Sequence, residues 1–129
     1  MVDYVLVMIG GALGTGARFW VSGFVADHVG EPFPLGTLLV NITGSFTIGL
    51  FAGFVDPEGS WLVSPRLREF FMIGVCGGYT TFSSFSIQTL NLVRDGDWFK
   101  AGVNTALSFI GCLAAVWLGR VVGLGIMPK

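Results

Sequence analysis

The feature that most constrains this chain is the length of its stretches without charge. No Asp, Glu, Lys or Arg occurs between Gly36 and Val55, between Phe70 and Val93, or between Ala101 and Gly119. A fourth stretch, Tyr4 to Ala26, carries only Arg18. Each is close to the roughly 20 residues a helix needs to cross a ~30 Å hydrocarbon core. A soluble protein could bury one such helix but would need a polar shell to hide four, and only 12% of these 129 residues are charged. The predicted class is an all-α membrane protein, one domain over 1–129 with spans at roughly 4–26, 36–55, 70–93 and 100–124.

Loops follow from punctuation. Gly30, Pro32 and Pro34 separate the first two spans, Pro57, Gly59 and Pro65 the next two, and "RDGDWFK" (Arg94 to Lys100) makes a tight turn before the last. Trp61 and Trp98 fall at span ends, where interfacial anchors sit, and Trp20 and Trp117 lie deeper. The start "MVD" has no basic n-region and the run after it is long enough to span, so it reads as retained rather than a cleaved signal. Cys76 and Cys112 lie in spans at a spacing that suggests neither a disulfide framework nor zinc, and read as packing residues. A net charge of −1 offers no basic patch for nucleic acid. His28, the single histidine, lies in a loop with no nucleophile arrangement beside it, so no catalytic constellation is visible.

With four spans, Arg66, Arg68, Arg120 and Lys129 fall on one side, and Arg94, Lys100 and the outer Arg18 on the other. So even a split barely biases insertion. Both orientations then become accessible, and an antiparallel two-fold dimer becomes possible. The pairs Gly10/Gly14, Gly49/Gly53, Gly74/Gly78 and Gly119/Gly123 have the spacing that lets helix backbones approach. Four helices cannot easily enclose a pathway alone, so these faces are expected to serve self-association.

The third span holds "GGYTTFSSFS" (Gly77 to Ser86) near its middle. Paired glycines weaken a helix, and Thr80, Thr81, Ser83 and Ser84 compete for backbone hydrogen bonds. The residues alone leave two readings: an interrupted helix, or a continuous one whose hydroxyls bond to the preceding turn. An interruption is tolerated in a membrane only where protein or a water-filled cavity covers the freed backbone groups. Asn41 and Thr37 add polar groups to the second span, and Asn104, Thr105 and Ser108 to the fourth. Asn can simply join helices, and Arg18 can snorkel to the interface. No span contains Asp or Glu. Neutral donors with one permanent cation suit a small anion: amides and hydroxyls replace part of its hydration shell without trapping it. Phe82 and Phe85 share a helix face, and phenyl edges carry the positive end of the ring quadrupole.

"GGYTTFSSFS", "GTLLVNITG" (Gly36 to Gly44) and "GGALGTGARFW" (Gly10 to Trp20) together closely resemble the Fluc family of fluoride channels, also called CrcB. The resemblance covers all four spans. It implies a third helix broken near its middle and an antiparallel, dual-topology homodimer in the cell (inner) membrane of a bacterium or archaeon. Two separate pores would let F⁻ leave the cytoplasm passively and so confer fluoride resistance. It implies Phe82 and Phe85 as pore-lining rings, Asn41 as pore support, Ser83 and Ser84 as the hydroxyls between the rings, and Asn104, Ser108 and Cys112 as a polar track. Arg18 matches the family arginine of the first helix. The backbone carbonyls of Gly77 and Thr80 match the positions that coordinate a structural Na⁺, which is not transported. Two departures stand out: Gln88 replaces a usual Glu, and Cys112 stands where hydroxyls are frequent.

The resemblance therefore implies a channel and not an enzyme, with fluoride, membrane lipid and a second copy of itself as partners. A small proton-coupled exporter of organic cations would have the same length and helix number but needs a membrane carboxylate. A purely structural subunit remains the third reading.

Overall fold

The structure, a computed structural model, describes residues 1–30, 32–56 and 63–126. The expected anchor Trp61, the loop residues Pro57 and Gly59, and Lys129 lie outside the described residues. Every element among those described is helical. The first helix runs Val2–Val29, the second Leu35–Phe54 and the last Trp98–Ile126. The third span covers Pro65–Arg94 in two parts: a leading half over residues 65–79 and a trailing half, Phe82–Arg94. Four spans of 28, 20, 30 and 29 residues are long and apolar enough to cross a membrane. At 1.5 Å per residue even the shortest reaches about 30 Å.

Local chemistry sets the ends. Pro65 sits in the first turn of the leading half, where its missing N–H costs nothing, and the Ser64 side chain accepts from the Leu67 amide. Gly30 and Gly96 take φ of 78° and 81°, a conformation glycine adopts without steric cost. Asp97 opens the last helix: its carboxylate accepts from the Lys100 amide at 3.2 Å and pairs with the Lys100 ammonium at 2.7 Å. The side-chain bond from Lys100, followed by the backbone bond, holds the Asp97 carboxyl below the usual range. From Glu69 to Cys76 the leading half is wound as a π-helix, a wider turn than the α-helix that is otherwise rare.

The helices associate in two main pairs: the first with the leading half, and the second with the last. Glycine makes both contacts. A Cβ added at Gly10 would lie 2.6 Å from the Phe70 carbonyl oxygen, and one at Gly78 2.5 Å from that of Gly11. One at Gly53 would lie 2.7 Å from the Arg120 oxygen, and Gly49 meets Val116 and Gly119 meets Phe46 in the same way. This corrects the expectation that the glycine faces serve self-association: all eight residues are spent on seams within one chain. The outer surface is left to large apolar side chains, with Phe19, Phe24, Ile110, Leu113 and Trp117 all exposed. Water would penalise that surface and lipid does not. Trp98 is exposed at the start of the last helix, as an interfacial anchor should be.

Candidate functional site

The third span is interrupted at Thr80 and Thr81. Thr80 has φ −78° and ψ 156°, and Thr81 has φ −152° and ψ 106°, so two extended residues separate the half-helices. Of the two readings left open by the residues, the interrupted helix is the one observed. Each side of the break is capped by side chains of other elements. Asn41, from the second helix, donates from Nδ2 to the Thr81 carbonyl at 3.1 Å and accepts the Thr81 amide on Oδ1 at 2.8 Å. The Thr81 hydroxyl in turn accepts from the Ser84 amide at 3.2 Å and starts the trailing half.

The leading half ends with its carbonyls directed at the break, where a helix carries partial negative charge. Arg18 Nε donates to the Gly78 carbonyl at 3.2 Å, and Thr15 Oγ1 donates to the same oxygen at 3.3 Å. The Thr80 amide and hydroxyl both donate to the Cys76 carbonyl, each at 3.0 Å. Among the described residues, no hydrogen bond reaches the carbonyls of Gly77 or Thr80 across the break.

Against the break lies a cavity of about 360 Å³ between the second helix, both halves of the third span and the last helix. Of the residues singled out from the sequence, Asn41, Cys76, Gly77, Thr80, Thr81, Phe82, Phe85, Ser108 and Cys112 line it. Phe85 is buried, whereas Phe82 at the rim is 68% exposed. The Ser108 hydroxyl is buried with no hydrogen-bond partner among the described residues. Sequence reasoning missed Phe109, which meets Phe82 and Phe85 edge-on with interplanar angles of 87° and 77°. Its place next to Ser108 was the available signal, in a chain with twelve phenylalanines to choose from. Gly44 was missed too, although a Cβ there would lie 3.0 Å from the Tyr79 ring and closer still to the Thr80 methyl. Its bareness lets the second helix seat against the break.

The remaining sequence candidates lie outside the cavity wall. Arg18 serves the carbonyl end of the leading half. Ser83 and Ser84 gather around the Thr81 hydroxyl at 3.3 Å and 3.1 Å. Asn104, 2% exposed, donates to the Thr89 hydroxyl at 2.9 Å and ties the last helix to the trailing half. A second cavity, about 560 Å³, opens near the ends of the first helix and the trailing half, with Ser22, Thr37, Gln88, Asn91 and Asp95 among its walls. Gln88 Oε1 is buried there without a partner among the described residues.

The central cavity offers amide, hydroxyl and backbone groups beside three aromatic rings, and among the described residues no carboxylate or ammonium is on its wall. It can solvate a small ion without fixing it through a full countercharge.

Comparison with known proteins points the same way. Residues 5–120 match the family model described as "CrcB-like protein, Camphor Resistance (CrcB)". The chain is 57% identical over 125 residues to a protein of Methylocella silvestris named "Fluoride-specific ion channel FluC", covering 97% of this chain and 95% of that one. A protein of the same name from Opitutus terrae is 57% identical over 123 residues, with 95% and 93% of the two chains covered. Another, from Rhodospirillum rubrum, is 52% identical over 120 residues, covering 93% of each. The interrupted span and its cavity thus belong to a member of the CrcB family.

Proposed function

We propose that the chain is a fluoride-selective passive channel that lets F⁻ leave the cytoplasm and so relieves fluoride toxicity. The family is one of ion channels rather than enzymes, and fluoride is the ion in its relatives' names. The observation that carries the reading is the convergence of Asn41, Phe82, Phe85 and the unpartnered Ser108 hydroxyl on one cavity at an interrupted helix.

The chemistry follows from those groups. A small, hard anion loses its water only if donors replace it, and the Ser108 hydroxyl has a proton to give. Phe109 stands edge-on to the other two rings of the lining, and the positive edge of an aromatic ring is able to meet an anion. The trailing half begins at the break, and helix N-termini favour anions. With no fixed cation among the described residues of the wall, binding stays weak enough for release, and a negative-inside potential supplies about 2.3 kcal/mol per charge per 100 mV.

The working unit is an antiparallel homodimer with two pores in the bacterial or archaeal cell membrane. Uncovered carbonyls at mid-membrane depth cost several kcal/mol unless protein or water meets them. In this chain Gly77 and Thr80 are among the residues that line the cavity, and Gly77 is exposed. A second copy would cover them, and the carbonyls of both copies would hold a structural Na⁺; carbonyl oxygen is a fitting ligand for that hard ion. The organic-cation exporter is disfavoured because none of the described residues lining the central cavity carries a carboxylate.

Purified protein in liposomes tests the reading. Fluoride efflux well above that of empty vesicles, with chloride efflux near background, is the expected result. Fluoride efflux equal to that of empty vesicles would overturn it.

A further inference from the structure

Three of the residues that line the central cavity carry sulfur. Met72 and Cys76 come from the leading half of the third span and Cys112 from the last helix. Cys76 is 4% exposed, and neither cysteine is in a disulfide. The anion path makes poor use of sulfur, even at Cys112, where the family resemblance leads one to expect a hydroxyl. A thioether has no proton to donate and a thiol is a poor donor, so neither helps to desolvate a halide. A hard ion such as Na⁺ has no use for them either.

We propose that Met72, Cys76 and Cys112 form a binding site for a soft monovalent d¹⁰ cation, Ag⁺ or Cu⁺. Thiolate and thioether donors select such ions. One thiol releases its proton to water as its S–metal bond forms, which leaves a neutral metal thiolate. The second thiol and the thioether then add as neutral donors, so no oxidant is needed and no net charge is left in the membrane interior. Zinc sites are built from thiolate, imidazole and carboxylate, whereas a thioether is a soft ligand, so this donor set favours soft ions over zinc. A metal seated there obstructs the cavity. That consequence rests on the cavity being the fluoride path; the site itself does not.

The test uses the full chain with silver nitrate in chloride-free buffer. Equilibrium dialysis should find about one tightly held silver per chain, undiminished by excess zinc. Cys76→Ser or Cys112→Ser should each weaken retention by about tenfold or more, Met72→Leu by a few-fold, and the double cysteine variant should abolish it. Capping the thiols of the unmodified protein with a methanethiosulfonate should also abolish it, which keeps the test free of any folding defect in the variants. Silver retention unchanged by the double substitution and by capping would overturn the site, as would equal retention of zinc. Fluoride efflux is followed in the same liposomes. Silver that slows efflux in the parent and not in the double variant supports both site and path. Silver bound one per chain with efflux unchanged upholds the site and removes the cavity from the fluoride path.

Discussion

Asn41 pairs with Thr81 as one peptide group pairs with another: its amide donates to the Thr81 carbonyl at 3.1 Å and its oxygen accepts the Thr81 N–H at 2.8 Å. A helix interrupted in lipid must find new partners for its backbone, and a residue forty positions earlier supplies both at once. Replacing Asn41 with Ala leaves a donor and an acceptor unmet, at about 1–3 kcal/mol each. Asn41→Ala should lower the melting temperature in detergent and reduce fluoride efflux. Asn41→Asp keeps the shape but loses the donor and adds negative charge beside the cavity, so its efflux should fall further. Efflux from both variants at the parental rate would remove Asn41 from the path.

The two signature rings differ in burial, which separates their effects. Phe82→Ile alters an exposed rim position and Phe85→Ile a buried one. Both should slow fluoride passage by on the order of tenfold, equivalent to about 1.4 kcal/mol of barrier. Only Phe85→Ile should also cost stability, by ~1 kcal/mol or more from imperfect repacking. Parental efflux in both variants would dispose of the ring-edge role.

Arg18 acts on the interrupted span through the Gly78 carbonyl. Arg18→Ala leaves that oxygen to Thr15 alone and should lower stability together with efflux, while the fluoride-to-chloride ratio stays as it was. A changed ratio with unchanged melting would instead make Arg18 a selectivity residue.

Seam glycines should be distinguishable from lipid-facing ones. Gly49→Ala drives a methyl group into the Val116 carbonyl and should destabilise by about 1–3 kcal/mol. Gly16→Ala meets nothing within 4 Å and should stabilise by roughly 0.5–1 kcal/mol through helix propensity. Thermal melts of the two variants check the contrast.

Sodium removal tests the carbonyl site of Gly77 and Thr80. Replacing Na⁺ by a bulky organic cation should loosen the homodimer or silence efflux. Indifference of both size-exclusion profile and efflux would exclude the site.

The spans were legible because charge in lipid is costly enough to be kept almost wholly out of them, so Gly36–Val55 and Phe70–Val93 announce themselves. The break was only half legible. Gly77, Gly78 and the threonines weaken a helix, but what resolves the ambiguity is the hydrogen bonding of Asn41 and Arg18, which comes from distant elements. Glycine spacing showed which faces are bare and not what meets them. Gly10 and Gly14 find the leading half of the third span, and Gly49 and Gly53 find the last helix. Asn104 looked the same on paper as a cavity-lining amide, but Thr89 across the turn takes its proton.

Those two glycine seams place the halves of the third span in different company. The leading half travels with the first helix, while the trailing half leans mainly on the last. Any slippage of one helix pair past the other is therefore absorbed at a two-residue coupling, Thr80 and Thr81. The same joint that borders the cavity is where a mechanical disturbance elsewhere in the chain would register first.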